Sequence, residues 1–313
     1  MKKKIIMLVL CCAMLGMGAC GNGGEKQDVY DGEPINVSES SSEAQKQTAK
    51  IAEFDYFGGE VDAADLERDY QKDIQANIDA IAAAGVSITD ELMAVEKIEK
   101  QFEALSSAAS TQFEMNQTAQ WFYVIWDTEL NSLWSRISNQ ADAQTKEELL
   151  AEQRNWVSMK EEVTLEAIGG SEDNGSMYPV LQYDFWEKIT KNRSYILANE
   201  LAKIKGESFV MPERSSKYFV YVDNQGTGDV YGSLITREGW EGDEAIISVF
   251  RVGTLEGTFE DKGNGQLAFS TYSGDVQGII QMNGWDGASF EVTKCDGDTF
   301  VSVGDKFEFD FAF

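Results

Sequence analysis

The hydrophobic period of this 313-residue chain changes once, and that change constrains the fold more than any composition figure. From about 62 to 205, apolar side chains recur every three or four residues, as they do on one face of an α-helix. Leu66, Tyr70, Ile74, Ile78 and Ile81 form a first stripe that ends near Gly85. Ser87, with Asp90 three residues on, predicts the cap of a second helix carrying Leu92, Val95, Ile98, Phe102 and Leu105. A third begins near Thr111 and runs through Phe122, Trp126, Leu130, Leu133 and Ile137, and a fourth spans about 145 to 167. Pro179 fits the first turn of a last helix bearing Leu181, Phe185, Ile189, Ile196 and Leu201. A bundle of four or five helices follows from these stripes.

Around Pro212, over 206–216, the period is lost, and after it everything changes. Residues 217–313 are glycine-rich and alternate apolar with polar in short runs: 218–222, 230–235, 245–252, 255–259, 266–272, 276–282, 288–292, 300–303 and 307–313. Turn signals such as Asn-Gln-Gly, Asp-Lys-Gly-Asn-Gly and Cys-Asp-Gly-Asp separate them. The fold class expected is therefore α+β with two domains. An N-terminal antiparallel helical bundle over 49–206 precedes a small all-β antiparallel sandwich or barrel over 217–313. Phe307, Phe309, Phe311 and Phe313 alternate to the last residue, which predicts a core strand that closes the sheet.

The beginning of the chain reads differently from either part. Lys2, Lys3 and Lys4 precede an apolar run of about 13 residues, shorter than the roughly 20 that cross a bilayer. Small Gly18 and Ala19 stand before Cys20. The expectation is a lipoprotein signal peptide over 1–19, lipidation at Cys20 and an extracytoplasmic protein anchored to the bacterial cell membrane by acyl chains. The alternative is an uncleaved anchor helix. Residues 20–48 are polar and rich in Ser, Gly and Glu, so a flexible tether is expected there.

Composition excludes much chemistry. The chain has no histidine, which removes His-based triads, His metal sites and His proton shuttles. Cys295 alone would remain after signal removal and lipidation, so no internal disulfide and no cysteine metal site are expected. With 26 basic and 54 acidic residues the formal charge is −28, which disfavours nucleic acid and anionic lipid and attracts basic partners. No nucleophile-elbow, P-loop or dinucleotide fingerprint is present. Asp296-Gly297-Asp298 lacks the later ligands of a calcium loop and reads as a turn. No catalytic residue, cofactor or metal is assigned, although a two-carboxylate glycosidase would need no histidine.

Five segments of the helical region, taken together, resemble a known family. They are Thr111-Gln112-Phe113-Glu114-Met115-Asn116, Asp127-Thr128-Glu129-Leu130-Asn131 with Trp134, Gln153 with Trp156, Gly175-Ser176-Met177, and Thr190-Lys191-Asn192-Arg193. In this order they are similar to the lysozyme-inhibitor LprI-type N-terminal domain family of bacterial envelope lipoproteins, over roughly 110–202. The resemblance implies a non-catalytic protein binder, with lysozyme or another basic wall-lytic protein as partner. Family members commonly carry cysteines where this chain has Thr118, Thr164 and Phe185, so the usual disulfides are absent. Aromatic packing by Trp121, Trp126, Trp134, Trp156 and Trp186 is expected to take their place.

Asp127, Glu129, Asn131, Gln153, Trp156, Thr190 and Arg193 are expected to form a buried or half-buried polar network that fixes helix register, with Arg193 in reach of Asp127 or Glu129. A contact loop for a partner is expected over 169–178, through Ser171, Glu172, Asp173, Asn174 and Ser176. A plain solvated connection fits the same residues. A rival role is that of an envelope ligand-binding or sensing lipoprotein whose β domain carries recognition.

Overall fold

A computed structural model describes residues 54–313 apart from Ser215, Trp240 and Glu241. The signal peptide expected over 1–19, the lipidation expected at Cys20 and the tether expected over 20–48 lie outside the described residues. Within the remainder, helices occupy the first half and strands the second, packed as one compact unit.

Seven helices run in order: α1 (Ala63–Glu67), α2 (Gln71–Ala83), α3 (Ile88–Ala108), α4 (Gln112–Gln140), α5 (Ala143–Ile168), α6 (Ser171–Asn174) and α7 (Tyr178–Lys205). Their starts follow the sequence. Ser87 accepts from the Asp90 amide, and Thr111 and Glu114 form a reciprocal capping box. Asp142 accepts from the amides of Gln144 and Thr145. Gly206 closes α7 in the left-handed region at φ 67°, a conformation costly for residues with a Cβ.

The first stripe is broken, not continuous. Asp62 and Asp65 cap α1, Arg68 turns extended at ψ 140°, and the Asp69 carboxylate accepts from the Gln71 amide at 2.9 Å to restart the helix. The apolar spacing survives the break because Leu66 and Tyr70 still face the core formed with α3 and α4. Tyr56, Phe57, Tyr70, Phe102 and Trp121 pack edge-on there, with ring centroids 5.0–6.0 Å apart, except for the tilted Tyr56–Phe57 pair.

Nine strands follow: β1 (Val220–Asp223), β2 (Gly232–Glu238), β3 (Asp243–Val249), β4 (Gly253–Gly263), β5 (Gln266–Thr271), β6 (Val276–Met282), β7 (Ala288–Cys295), β8 (Lys306–Phe309) and β9 (Phe311–Ala312). Each pairs antiparallel with its neighbour in the order β8-β7-β6-β5-β4-β3-β2-β1-β9. Only Asp310 separates β8 from β9, so the two edges of the sheet are made by one stretch of chain. The sheet therefore curls into a nearly closed barrel. Its interior is filled by side chains, among them Tyr221, Leu234, Phe259, Phe269, Phe290 and Phe309.

Two expectations change at this point. Residues 300–303 form no strand; the β7–β8 connection carries Val301 into the barrel core and leaves Phe300 against Gly253. The four terminal phenylalanines do not share a face either. Phe307 and Phe309 belong to the barrel core, whereas Ala312 points inward and Phe311 and Phe313 turn outward toward the helices. The switch falls at Asp310, where the strand changes partner from β7 to β1.

The outer wall of the barrel completes the helical core. Val220, Val222, Val230, Ile235 and Phe313 are buried in the same cluster as the bundle residues. Asn192 donates to the Phe313 carbonyl at 3.0 Å, Arg237 to that of Ala167 at 3.1 Å, and Ser158 to that of Gly228 at 2.8 Å. The connecting stretch is fastened by Arg214, whose guanidinium lies 4.1 Å and 4.3 Å from the Phe219 and Trp285 ring centroids and donates to Phe313.

Candidate functional site

The marked residues of the helical part fall into three groups. The first is a buried acid cluster between α3 and α4. Glu129 is fully buried, and Glu91 of α3 is 2 % exposed. Arg136, seven residues after Glu129 and so on the same face of α4, reaches both. Its Nη1 donates to Glu91 Oε2 at 2.8 Å and its Nη2 to Oε1, while Nη2 lies 3.7 Å from Glu129 Oε1. Among the described residues no donor reaches either Glu129 oxygen. Burial, then the charge and side-chain hydrogen bonding of neighbouring Glu91, raise the Glu129 pKa well above the usual carboxylate range.

The second group joins α5, α7 and the chain end. Arg193 is 2 % exposed; its Nε donates to Gln153 Oε1 at 2.8 Å and its Nη2 lies 3.6 Å from Glu152. The expected reach of Arg193 to Asp127 or Glu129 is therefore corrected: α5 supplies its partners, and Arg136 holds the place beside Glu129. Trp156 is buried and stacks on Phe313, with centroids 6.2 Å apart. Thr190 is fully buried, and its carbonyl accepts from Ser194 at 2.9 Å.

The third group surrounds a lysine. Lys160 Nζ stands 4.4 Å from the ring centroids of both Tyr123 and Trp186, and 5.4 Å from that of Trp156. It also donates to the Tyr123 hydroxyl at 3.3 Å, and that hydroxyl donates to Asp127 at 3.2 Å. Burial pushes the Lys160 pKa down to about 8, against the pull of Asp127. Asn131, exposed, donates to the Asp127 carbonyl and carboxylate at 2.7 and 3.1 Å. Thr164 accepts from Trp186 Nε1 at 3.0 Å, and Thr118 is buried.

The 169–178 connection is more ordered than a loop. Ser171–Asn174 form the helical turn α6, and Gly175–Met177 add a 3₁₀ turn before α7. Asp173 accepts from the Gly170 amide at 3.1 Å, and Asn174 donates to the Ile168 and Gly170 carbonyls at 2.7 and 3.0 Å. Those two side chains hold the turn. Ser171, Glu172 and Ser176 are exposed, and among the described residues their side chains have no hydrogen-bond partner.

A cleft of about 1270 Å³ opens between α7 and the β1–β2 wall. Its apolar walls include Leu181 and Phe185 from the helical side and Phe219 and Ile235 from the barrel. Glu99, Glu187 and Lys191 lie at its helical edge. Lys191 pairs with Glu99 at 2.6 Å and stands 4.8 Å over the Trp126 ring. Burial, then the charge and hydrogen bond of Glu99, raise the Glu187 pKa to about 8. Sequence reasoning missed Glu91, Arg136 and the Glu99–Glu187–Lys191 set. The seven-residue spacing of Glu129 and Arg136, which puts both on one face of α4, is the signal that could have found Arg136. Among the described residues no cluster of acidic or cysteine side chains is arranged to hold a metal, and no helix is long and apolar enough to cross a membrane.

Residues 103–197 match the family model described as lysozyme inhibitor LprI. That segment contains Glu129, Gln153, Trp156, Thr190, Arg193 and the 169–178 turn, and the barrel lies outside it. No curated protein and no solved structure matches the chain.

Proposed function

We propose that this chain is a membrane-anchored extracytoplasmic lipoprotein that binds a protein partner without catalysis, and that the partner is lysozyme or another basic wall-lytic enzyme. The observation that carries the reading is the LprI-type segment at 103–197. The charge of −28 supports it, since an acidic surface accelerates encounter with a basic partner. The Gly18-Ala19-Cys20 sequence supports anchoring through an acylated Cys20.

In this reading Asp127, Glu129, Asn131, Gln153, Trp156, Thr190 and Arg193 are structural. Their side chains face one another, the helix interior or their own helix backbone. The partner-facing residues are Ser171, Glu172 and Ser176, with Asp173 and Asn174 holding the turn that presents them. A ligand-sensing role for the barrel is less well supported, because its interior is filled by aromatic and aliphatic side chains.

The test is inhibition of purified lysozymes by the chain beginning at Cys20, titrated at low salt and at about 0.15 M salt. One-to-one inhibition that persists at the higher salt supports a specific inhibitor. Inhibition confined to low salt, or none, contradicts it.

A further inference from the structure

The cleft between α7 and the barrel wall carries two acids that the protein leaves without a cation partner. Lys188 pairs with Asp184 at 2.9 Å, Lys191 with Glu99 at 2.6 Å and Arg237 with Glu244 at 3.1 Å. Every cation lining the cleft is thus already matched to an acid. Glu187 and Glu238 form no ion pair among the described residues, and both line the same space. Glu238 is exposed on the barrel side and Glu187 is half-buried on the helical side. Between them lie the apolar surfaces of Leu181, Phe185, Phe219 and Ile235. At about 1270 Å³ the space exceeds a drug-sized pocket and accommodates several residues of a polypeptide.

We propose that this cleft receives a protruding segment of the basic partner, in which an arginine or lysine places its charge against Glu187 and a neighbouring apolar side chain packs between Phe185 and Phe219. The inference rests on the function proposed above and gives the barrel a purpose in it, because the helices form only one wall. The surroundings of Glu187 explain why a cation is the fitting guest. Glu99 from α3 shares a hydrogen bond with it, Asp184 adds a like charge from the preceding turn of α7, and Lys191 is engaged by Glu99 and Trp126. Arg237 and Glu244 on the barrel side are paired with each other. An incoming guanidinium replaces the proton that Glu187 holds in the free protein. The carboxyl O–H breaks, its proton passes to the buffer, and a charge-assisted N–H···O bond forms.

The experiment compares the wild-type chain from Cys20 onward with Glu187→Gln and with Glu60→Gln, an exposed acid outside the cleft, as a charge control. Calorimetry in two buffers of different ionisation enthalpy reads affinity and proton release. Lysozyme and octylguanidinium, an amphipathic cation small enough to enter alone, are the two ligands. The wild type is expected to release up to one proton per complex near pH 7 and to tighten about tenfold between pH 6 and 9. Glu187→Gln is expected to bind lysozyme about tenfold more weakly at pH 9 and to lose the proton release, while Glu60→Gln retains both. Lysozyme binding that is equal in wild type and Glu187→Gln at pH 9 overturns the cleft and leaves the proposed function standing. Octylguanidinium bound with proton release, but no lysozyme binding, supports the cleft as a cation site and overturns the proposed function. Failure of octylguanidinium to bind the wild type overturns the cleft.

Discussion

Two acid–acid–base triads in this molecule are built alike and sit in opposite settings. In both, α3 supplies one carboxylate, a later helix supplies a second, and that later helix also supplies one cation a turn or two away. Glu91, Glu129 and Arg136 form the first, and Glu99, Glu187 and Lys191 the second. Glu91 and Glu99 lie eight residues apart on one face of α3. The first triad is sealed in the bundle: Glu129 is fully buried and the guanidinium grips Glu91 with two nitrogens. The second opens on the cleft, and its cation is a lysine ammonium with a single short contact to Glu99. Raised carboxyl pKa values occur in both, so titration alone does not distinguish a structural acid from a functional one. Solvent access and an unfilled neighbouring space do.

Removing Arg136 should have the largest effect. Arg136→Met strands two buried carboxyl groups and is expected to cost about 3–5 kcal/mol in urea unfolding. A loss below about 1 kcal/mol would show the sealed triad to be as dispensable as a surface pair. Next comes Phe313, which stacks on Trp156 and lines the cleft. Phe313→Ala should cost about 3 kcal/mol and loosen the barrel from α5 and α7, visible as faster amide exchange in β1 and α7. Exchange unchanged in those elements would break the link between chain end and cleft.

The pH dependence of stability gives the third test. Glu187 has a folded pKa raised to about 8, so its contribution is intact below the ordinary glutamate range and is lost as pH rises through about 8. Glu187→Gln should remove that loss and leave the variant roughly 1–3 kcal/mol more stable than the wild type at pH 9. Thermal melts across pH 4 to 9 that keep the wild-type slope in the variant would contradict the assignment. The smallest effect expected is that of Lys191→Met, about 1 kcal/mol, because the cleft lets solvent screen the carboxylates it leaves behind. Its urea midpoint, measured beside that of Arg136→Met, shows directly how far the two triads differ.

Much of this architecture was legible in the residues. Ser87 and Thr111 mark two helix starts, and the change of period near Pro212 separates helices from strands. What was not legible depends on partners distant in sequence. Alternation put the four terminal phenylalanines on one face, but the strand changes neighbour at Asp310 and its facing changes with it. Alternation also made a strand of 300–303, where one buried residue, Val301, anchors a connection across the barrel mouth. Spacing within α7 pointed Arg193 toward α4, yet helix docking turned it to Gln153 of α5. The cleft itself has no sequence signature, because its two walls meet only when the barrel packs on α7.

Lysozyme affinity at pH 9, measured side by side for the wild type, Glu129→Gln and Glu187→Gln, tests most directly whether matched triads have taken separate roles. The account predicts that Glu129→Gln binds as the wild type does and that Glu187→Gln binds about tenfold more weakly. Equal loss in both variants, or loss in Glu129→Gln alone, would contradict it.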